Sequence, residues 1–514
     1  MLGPTVTLLV WARCFAVTVT HVGDVAYTSN AFAAKKADGS VATWGWPSGG
    51  GDSSTVASAL LSDVVAVTGA SAAFAAVKAD GSVVTWGEAE NGGNSSAVAA
   101  DLSGVVSITS ASYAFAALKA DGSVTTWGKA SGGGDSSSVS SNLSSGVESV
   151  VGAHEAFAAI KTDGSVVIWG NPLAGGDSST VANDLLMGVV SITATSAGFG
   201  ALKDDGSVVT WGAVAWNVPS SNLTFGVISI HGTSFDALAA LKADGSVLTW
   251  GNPPFGGDSS AVAGELSGVK LIQSSFNSFA ALTNSSIVIW GMYGSTVLAV
   301  SGVESIQSTA RTFAALNANG SVTITWPSFF VEADLSNVAD SLSSGVQAIY
   351  RTTTSFAALK MDGSVVTWGG GNGGGNSTLV ASELSSGVIA IRSNHEAFIA
   401  IKEDGSAVTW GNGDKGGDST GVDFSSLWWT TTSTISTTSF TSTSRTVTSV
   451  TSTMAATAAL DPGIDVWLIV GIVSAVLGTC AAAVAAWLCW QRARSRDEVK
   501  EIHIGATIHP SVSA

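Results

Sequence analysis

Cysteine and charge are scarce in this chain of 514 residues. Its 3 cysteines are Cys14, Cys480 and Cys489, so the long central region carries no disulfide and gives no sign of its redox compartment. Charged residues make up 11% of the chain, with 21 basic against 38 acidic side chains. The resulting net charge of −17 would repel a phosphate backbone, which argues against a nucleic-acid partner.

Catalytic motifs are missing as well. The 6 histidines are scattered without zinc-binding spacing, and the chain has no Gly-x-Ser-x-Gly elbow and no phosphate loop. We therefore expect no catalytic residue, no metal and no cofactor, and predict that the protein is not an enzyme. His154-Glu155 and His395-Glu396 stand at equivalent places, and we interpret them as solvated loop pairs.

One phrase, Phe-Ala-Ala-Leu-Lys-Ala-Asp-Gly-Ser-Val-Val-Thr-Trp-Gly, recurs ten times with variations. A period of about 41 residues fits one supersecondary unit that stacks on its neighbours. The chain therefore favours a single elongated or ring-shaped repeat domain. The recurring tryptophans are Trp44, Trp86, Trp127, Trp169, Trp211, Trp250, Trp290, Trp326, Trp368 and Trp410.

Each phrase predicts a β-hairpin, because two β-prone runs flank an Asp-Gly pair that suits a tight turn. The turn residues include Asp80-Gly81, Asp121-Gly122 and Asp163-Gly164. One Phe and one Trp recur in each copy, and such large apolar side chains are expected to fill the core between neighbours. The predicted core residues are Phe115, Trp127, Phe157, Trp169, Trp211, Trp250, Trp368 and Trp410.

A second phrase, Gly-Gly-Asp-Ser-Ser, follows most of the Trp-Gly pairs, as at 133–137 and 175–179. Its Asp precedes an apolar pair four residues apart, which predicts a cap on a short helix in the crossover to the next repeat. A shared anion or calcium site formed by neighbouring loops is the alternative. The phrase is missing after Trp211, Trp290 and Trp326; these units either mark a distinct face or have decayed, and we favour decay.

These hairpins, with Asp-Gly at the turn and Trp-Gly at the end, resemble the repeats of the regulator of chromosome condensation family. The resemblance spans residues 22–422 and implies an all-β, propeller-like array, which in that family has seven blades. Here the loop after Trp-Gly lacks the family's Gly-Gln-Leu-Gly phrase, and ten units replace seven. A ten-bladed ring, a seven-bladed ring with three extra units and an open β-solenoid all remain possible.

Beyond the repeats the composition changes abruptly. Residues 425–461 are rich in Ser and Thr and predict an extended stalk, while 466–490 run for 25 residues without a charge. At about 1.5 Å per residue such a helix crosses a membrane core of about 30 Å. Arg492, Arg494 and Arg496 follow it directly, so the positive-inside tendency places the tail at 491–514 in the cytosol.

The repeats at 22–424 are then expected on the extracellular or lumenal side. Residues 1–21 form a possible signal segment, although Arg13 interrupts its apolar run. The repeat region also carries candidate N-glycosylation sites. They are Asn94, Asn142, Asn222, Asn284, Asn319 and Asn376.

The order of head, stalk, span and tail predicts a single-pass membrane protein that presents a non-catalytic surface for adhesion or recognition. Its partner would be a protein or a carbohydrate. The alternative is an enzyme regulator, similar to an exchange factor or a ubiquitin-pathway scaffold, with cytosolic repeats on a tail anchor.

Overall fold

The computed structural model describes residues 15–22, 24–215, 217–219, 223–325, 334–425 and 427–435. The chain divides into two compact units. One combines Met1–Val17 with Ser433–Ala514, and its described residues belong to the ends of two paired strands, Phe15–Val22 and Trp428–Ile435. The other, Thr18–Thr432, contains all ten repeats.

Each repeat is one antiparallel sheet whose strands lie in chain order. The first strands are Val25–Tyr27, Val64–Gly69, Val105–Ser110, Val147–Gly152, Val189–Ala194, Val227–Gly232, Leu271–Ser274, Val303–Ser308, Val346–Arg351 and Val388–Ser393. The second strands are Ala31–Lys35, Ala73–Lys78, Ala114–Lys119, Ala156–Lys161, Gly198–Lys203, Ala237–Lys242, Ser278–Leu282, Phe313–Asn317, Ser355–Lys360 and Ala397–Lys402. The third strands are Val41–Gly45, Val83–Gly87, Val124–Gly128, Val166–Gly170, Val208–Gly212, Val247–Gly251, Ser286–Gly291, Val322–Thr325, Val365–Gly369 and Ala407–Gly411.

The seventh repeat departs from this plan by adding a fourth strand, Gly294–Ala299, which pairs with the third. This strand occupies the stretch where the Gly-Gly-Asp-Ser-Ser phrase is missing after Trp290. The seventh copy therefore has an additional element in place of the lost phrase, so decay alone does not describe it.

The crossovers contain short 3-10 helices. The first set follows the third strands and consists of Pro47–Gly49, Ala89–Asn91, Ala130–Gly132, Pro172–Ala174, Pro253–Phe255, Gly371–Gly373 and Gly413–Lys415. The second set leads into the next sheet and consists of Ser54–Leu60, Ser96–Asp101, Ser137–Val139, Ser179–Leu185, Ser260–Glu265, Thr378–Val380 and Glu383–Ser385. The predicted strand, hairpin and short helical crossover is thus the unit that forms.

The second strand explains why the phrase alternates large and small apolar residues. Successive side chains of a strand point to opposite faces of the sheet. Phe115 and Ala117 pack towards the preceding repeat, whereas Ala114 and Ala116 pack towards the following one. Alanines on one face let the next sheet approach closely enough to bury its own Phe and Trp. The phrase therefore encodes both sides of each interface between repeats.

Ten apolar clusters make up the core, and each joins two neighbouring repeats. One of them joins the tenth repeat to the first: Ile399 and Ile401 pack with Phe32 and Trp44. Leu427, from the segment after the last sheet, completes this cluster. The array of ten repeats therefore closes within its unit, which excludes the open solenoid and the seven-bladed ring with three extra units.

The first strands form the inside of the closed array, and we call them inner strands. Neighbouring inner strands are tied by side-chain hydrogen bonds: Thr68 Oγ1 donates to the Ile108 carbonyl, and Thr109 Oγ1 to the Val150 carbonyl. Glycine permits the closest approach, because a Cβ on Gly69 would lie 1.9 Å from the Tyr27 carbonyl oxygen. The ends of the inner strands thus come close together in space.

Candidate ligand-binding site

The aromatic pair of each repeat lies directly across the hairpin. Phe115 is paired with Trp127 in the strand register, and their ring centroids are 5.3 Å apart at 21°. Phe157 and Trp169 repeat this stack at 5.3 Å and 18°. The described tryptophans of the recurring Trp-Gly pairs are at most 4% exposed, including the expected core residues Trp211, Trp250, Trp368 and Trp410. These side chains form the scaffold beneath the candidate site.

A buried indole N–H needs a hydrogen-bond acceptor, and in seven of the described repeats the glycine-rich phrase of the preceding repeat supplies it. Trp169 Nε1 donates to the Gly133 carbonyl of the preceding repeat at 3.0 Å. We call this contact the indole–glycine bond. The other described examples are Trp86 to Gly50, Trp127 to Gly92, Trp211 to Gly175, Trp290 to Gly256, Trp410 to Gly374 and Trp44 to Gly416. The last of these closes the array.

The bond requires glycine at its acceptor. Gly133 has φ +96°, and a Cβ there would lie 2.6 Å from Phe157 Cδ2. The carbonyl reaches the indole because the backbone lies directly on the neighbouring aromatic ring. The helix-capping pattern in the sequence does not indicate that the glycine carbonyl accepts a bond from the next indole. The one available sign in the sequence is the absence of these glycines after Trp211 and Trp326.

The Asp of the phrase accepts a hydrogen bond from the first residue of the crossover helix, but it lies one residue before the N-cap position that the sequence predicts for it. Asp135 Oδ1 accepts from the Ser137 amide at 2.9 Å, whereas the residue at the cap position, Ser136, makes no capping bond. The Ser137 amide hydrogen bond also holds the pKa of Asp135 below its ordinary value. The expectation of an ordinary N-cap is thus corrected to an Asx turn over a 3-10 helix.

The hairpin-turn residues stand at the opposite end of each sheet. Asp121 Oδ1 accepts from the Ser123 amide at 2.9 Å and from its hydroxyl at 2.6 Å, and Gly122 has φ +76°. These bonds lower the pKa of Asp121. The same two bonds form at Asp80 and at Asp163, next to Gly81 and Gly164. These aspartates use their oxygens within their own turns.

The lysine of the phrase has a structural role that the sequence did not reveal. Lys161 Nζ donates to the Asn142 carbonyl at 3.0 Å, at the end of the crossover that enters its own repeat. A lysine suits this place because helix carbonyls at the C-terminus lack partners. The bond recurs from Lys78 to Ala59, Lys119 to Asp101, Lys203 to Asp184, Lys360 to Ser341 and Lys402 to Glu383.

The two His-Glu pairs are not merely solvated, because each glutamate is bonded. Glu155 accepts from Lys129 Nζ at 2.9 Å and from Asn171 Nδ2 at 2.6 Å, and these bonds lower its pKa. Glu396 accepts from Asn412 Nδ2 at 2.7 Å and lies 3.4 Å from Lys415 Nζ. Both carboxylates thereby fix the loops after the third strands.

A cavity of about 580 Å³ lies where the inner strands end. Side chains from six repeats line it, contributed by repeats one and six to ten. Its lining residues are Tyr27, Ser234, Phe276, Gln307, Ile349, Tyr350, Arg351, Thr352, Thr353, Ile391, Arg392, Ser393, Asn394 and His395. No carboxylate is among them, and the volume falls in the range of about 300–1,000 Å³ typical of small-ligand sites.

In repeats two to ten, the position four residues beyond the valine that begins the inner strand, or lies just before it, differs between two groups of repeats. In repeats two to five it is Thr68, Thr109, Val151 or Thr193. Among these, Thr193 Oγ1 donates to the Ile230 carbonyl, so the hydroxyl joins the inner strands of repeats five and six. From repeat six onwards longer polar side chains occupy the position. They are His231, Gln273, Gln307, Tyr350 and Arg392. Of these, Gln307, Tyr350 and Arg392 line the cavity, whereas His231 bonds Ser229 and Gln273 bonds the Ser274 carbonyl.

Titratable groups in and near the cavity respond to its enclosure. Burial lowers the pKa of Arg351 below its ordinary value, while Tyr27 raises it. Burial also lowers the pKa of His395, opposed by Glu396 and reinforced by Lys415 and Arg351. Nowhere in the described ranges do three or more His, Cys, Asp or Glu side chains come together as metal ligands.

The candidate glycosylation sites are exposed where the structure describes them. Asn94, Asn142, Asn284, Asn319 and Asn376 are exposed at loops and turns, and Asn222 lies outside the described residues. No helix in the described ranges has the length and apolar character needed to cross a bilayer. The predicted span at 466–490, the tail after it and most of the stalk lie outside those ranges.

Comparison with known proteins gives partial matches among solved structures. No family model matches the chain, and no curated protein does. Among solved structures, the CRINKLY WD40 ectodomain of the Arabidopsis thaliana receptor kinase ACR4 is 14% identical, with a TM-score of 0.29 over 50% of this chain and 93% of that one. Prp20p from Saccharomyces cerevisiae is 15% identical, with a TM-score of 0.29 over 54% of this chain and 74% of that one.

The receptor kinase CR4 ectodomain from Physcomitrella patens is 17% identical, with a TM-score of 0.29 over 57% of this chain and 76% of that one. The fold itself defines the class of the protein: it is an all-β tandem-repeat protein whose ten repeats each form one antiparallel sheet. Membership of the regulator of chromosome condensation family stays a prediction.

Proposed function

We propose that this protein is a non-catalytic recognition protein on a membrane, and that its closed repeat array binds a protein or carbohydrate ligand. The observation that carries the proposal is the cavity at the ends of the inner strands, where side chains of six repeats converge. Binding sites of this kind are concave and combine apolar walls with a few placed polar groups.

The repeat array suits recognition because it holds the inner-strand ends that line the cavity in fixed positions. Each interface between repeats carries a buried apolar cluster, and seven described interfaces add the indole–glycine bond. A site built on such a scaffold loses little conformational entropy when a ligand binds. Arg351 and Arg392 extend from the ends of adjacent inner strands, so the array fixes the backbone positions of both.

The membrane part of the proposal rests on the sequence beyond the repeats. A Ser/Thr-rich stretch, an uncharged run at 466–490 and three arginines follow in that order. The five described sequons are exposed, as glycan addition outside the cytosol requires. We therefore place the repeats on the extracellular or lumenal side, with the C-terminus in the cytosol.

Protease treatment of intact cells tests this topology. Cells express the full chain with an epitope tag after Ala514, and a cytosolic protein serves as the control for cell integrity. We expect external protease to remove the repeats and to leave a small tagged fragment that contains the span. If the repeats are protected in intact cells but are digested together with the cytosolic control once the plasma membrane alone is permeabilised, the repeats are cytosolic, and the regulator on a tail anchor replaces the proposed protein.

Recognition itself is tested by adhesion of the same cells. Cells that display the chain should aggregate with unlabelled cells more than matched cells without it, and external protease should abolish the difference. Equal aggregation before and after protease, with the repeats on the outside, would contradict a role in adhesion.

A further inference from the structure

The cavity concentrates positive charge in a strongly acidic protein. Arg351 ends the inner strand of repeat nine, Arg392 lies near the end of the inner strand of repeat ten, and both line the cavity. His395 lies beside them in the lining as a further hydrogen-bonding group. The chain as a whole carries a net charge of −17, so this clustering opposes the overall balance.

Among the described residues, no carboxylate neutralises the two arginines. Neither takes part in an ion pair within that part of the chain, and Arg392 Nη1 donates to the Ile391 carbonyl at 3.0 Å. Glu396, next to His395, is already bonded to Asn412 and paired with Lys415. Arg351 is exposed and Arg392 half-buried at this opening, so both guanidinium groups are accessible to an anionic ligand that would supply the missing counter-ion.

Guanidinium groups favour one kind of anion. Their planar N–H donors match the two oxygens of a carboxylate or of a sulfate, and these charge-assisted bonds are stronger than neutral ones. Arginines on adjacent inner strands present this chemistry from two sides of the same opening. A ligand seated in the cavity would exclude water from the two guanidinium groups and so strengthen such contacts.

The remaining lining suits a ring with hydroxyl groups. Tyr27, Tyr350 and Phe276 provide aromatic surface, and Gln307 and Asn394 provide amide donors and acceptors. Pyranose rings combine apolar C–H faces with hydroxyls at their edges, so they use both kinds of contact. An extended acidic peptide would make less use of three aromatic side chains around a cavity of about 580 Å³.

We propose that this cavity binds an acidic saccharide, whose carboxylate or sulfate group is held by Arg351 and Arg392 while its sugar rings pack on Tyr27, Tyr350 and Phe276. The inference rests on the proposed recognition function and specifies the ligand class of that same site. It gives Arg351 and Arg392 a binding role that the repeat pattern alone would not assign.

Calorimetry with the purified full chain in detergent micelles tests the proposal. The probes are a tetrasaccharide of uronic acids, its methyl ester and a sulfated neutral tetrasaccharide. We expect the chain to bind the uronate or the sulfated sugar, with the uronate at least about tenfold tighter than its ester if carboxylate is the group recognised. The binding should weaken as salt is raised.

Charge-removing variants distinguish binding by the cavity arginines from non-specific attraction to basic side chains. Arg351→Gln and Arg392→Gln should each weaken binding of the preferred probe by about tenfold or more, and Arg351→Lys should recover part of the loss. Lys270→Gln removes the same charge just before an inner strand at its opposite end, and it should leave the affinity unchanged. An unchanged melting temperature of the arginine variants shows that they fold.

Several results would overturn the acidic saccharide. These are equal binding of the uronate and its ester together with no binding of the sulfated sugar, equal losses in Lys270→Gln and Arg351→Gln, or tight binding of oligoglutamate with no sugar binding. If no sugar binds while the protease test still places the repeats outside the cell, this inference fails and the proposed recognition function stands.

Discussion

Repeats two to five and repeats six to ten share the same hairpin but differ at the ends of their inner strands. In the first group the position that faces the cavity in later repeats is threonine or valine, and Thr68, Thr109 and Thr193 bond the next strand. In the second group it is a long polar residue, such as Tyr350 or Arg392. In the first group this position therefore ties neighbouring inner strands together, and in the second group Gln307, Tyr350 and Arg392 line the cavity.

The two groups also differ in the interfaces between repeats. Trp86, Trp127, Trp169 and Trp211 in repeats two to five all have their glycine acceptor. In the later group, Trp250 Nε1 and Trp368 Nε1 are buried without a hydrogen-bond partner in the described part of the chain. The phrase that would supply the acceptor is missing after Trp211 and Trp326, one repeat before each of them.

Packing constrains the residues of the second strand more than those at the end of the inner strand. The alternation of Phe with Ala in the second strand is retained in repeats three and nine alike, because both faces of that strand are buried. The residue four positions beyond the valine of each inner strand is not constrained in this way, so it can vary and contact a ligand. Positions that differ between otherwise similar repeats therefore indicate where a ligand site lies.

The largest expected effect comes from removing a core indole in the regular group. Trp127→Ala should destabilise its interface by about 3–5 kcal/mol, because the side chain is buried and its indole–glycine bond is lost. The loss should appear in repeats two and three first, as increased hydrogen exchange, while repeats six to ten keep their protection. Unchanged exchange and protease resistance in the variant would contradict the assigned core.

A pair of glycine substitutions comes next. Gly92→Ala places a Cβ 2.5 Å from Phe115 Cδ2, whereas a Cβ on Gly104 meets nothing within 4 Å. Both have positive φ, at 96° and 67°, so alanine at either position costs about 1–2 kcal/mol of backbone strain. Overpacking should make Gly92→Ala worse by a further 1–3 kcal/mol or so, measured by urea unfolding. Equal losses would mean that the glycine is needed only for its backbone conformation.

Matched indole replacements sharpen the contrast between the two groups. Trp211→Phe loses the bond to the Gly175 carbonyl, whereas Trp250→Phe loses no described hydrogen bond. Both changes remove the same volume from a buried site. We therefore expect Trp211→Phe to cost about 1 kcal/mol more in free energy of unfolding than Trp250→Phe. The opposite order would refute the view that the interface before repeat six lacks its acceptor.

The smallest effects concern the aspartates of the glycine-rich phrase. Asp177 Oδ1 accepts from the Ser179 amide, a bond that Asn can also accept, as Asn376 does from Thr378. Asp177→Asn should therefore leave the melting temperature nearly unchanged, and Asp177→Ala should lower it slightly. Calcium or a chelator should shift neither protein. A rise with calcium that is lost in the double variant Asp135→Asn, Asp177→Asn would support a metal site instead.

The sequence by itself determined the local unit. Alternation of apolar residues with a period of two, an Asp-Gly turn and a Trp-Gly end define a hairpin whose parts are close along the chain. Phe115 and Trp127 are therefore opposite each other because of the turn at Asp121-Gly122. The crossover helices were also predictable, because their start signals lie within a few residues of them.

Tertiary structure decided how the units meet. Trp44 and Gly416 are 372 residues apart in sequence, and no local pattern distinguishes a ring that closes from an array that continues. The indole–glycine bond and the lysine contacts join residues about a repeat or half a repeat apart, so they depend on the angle between sheets. The cavity has the same origin: Tyr27 and Arg351 reach one opening only because the first and last repeats pack together.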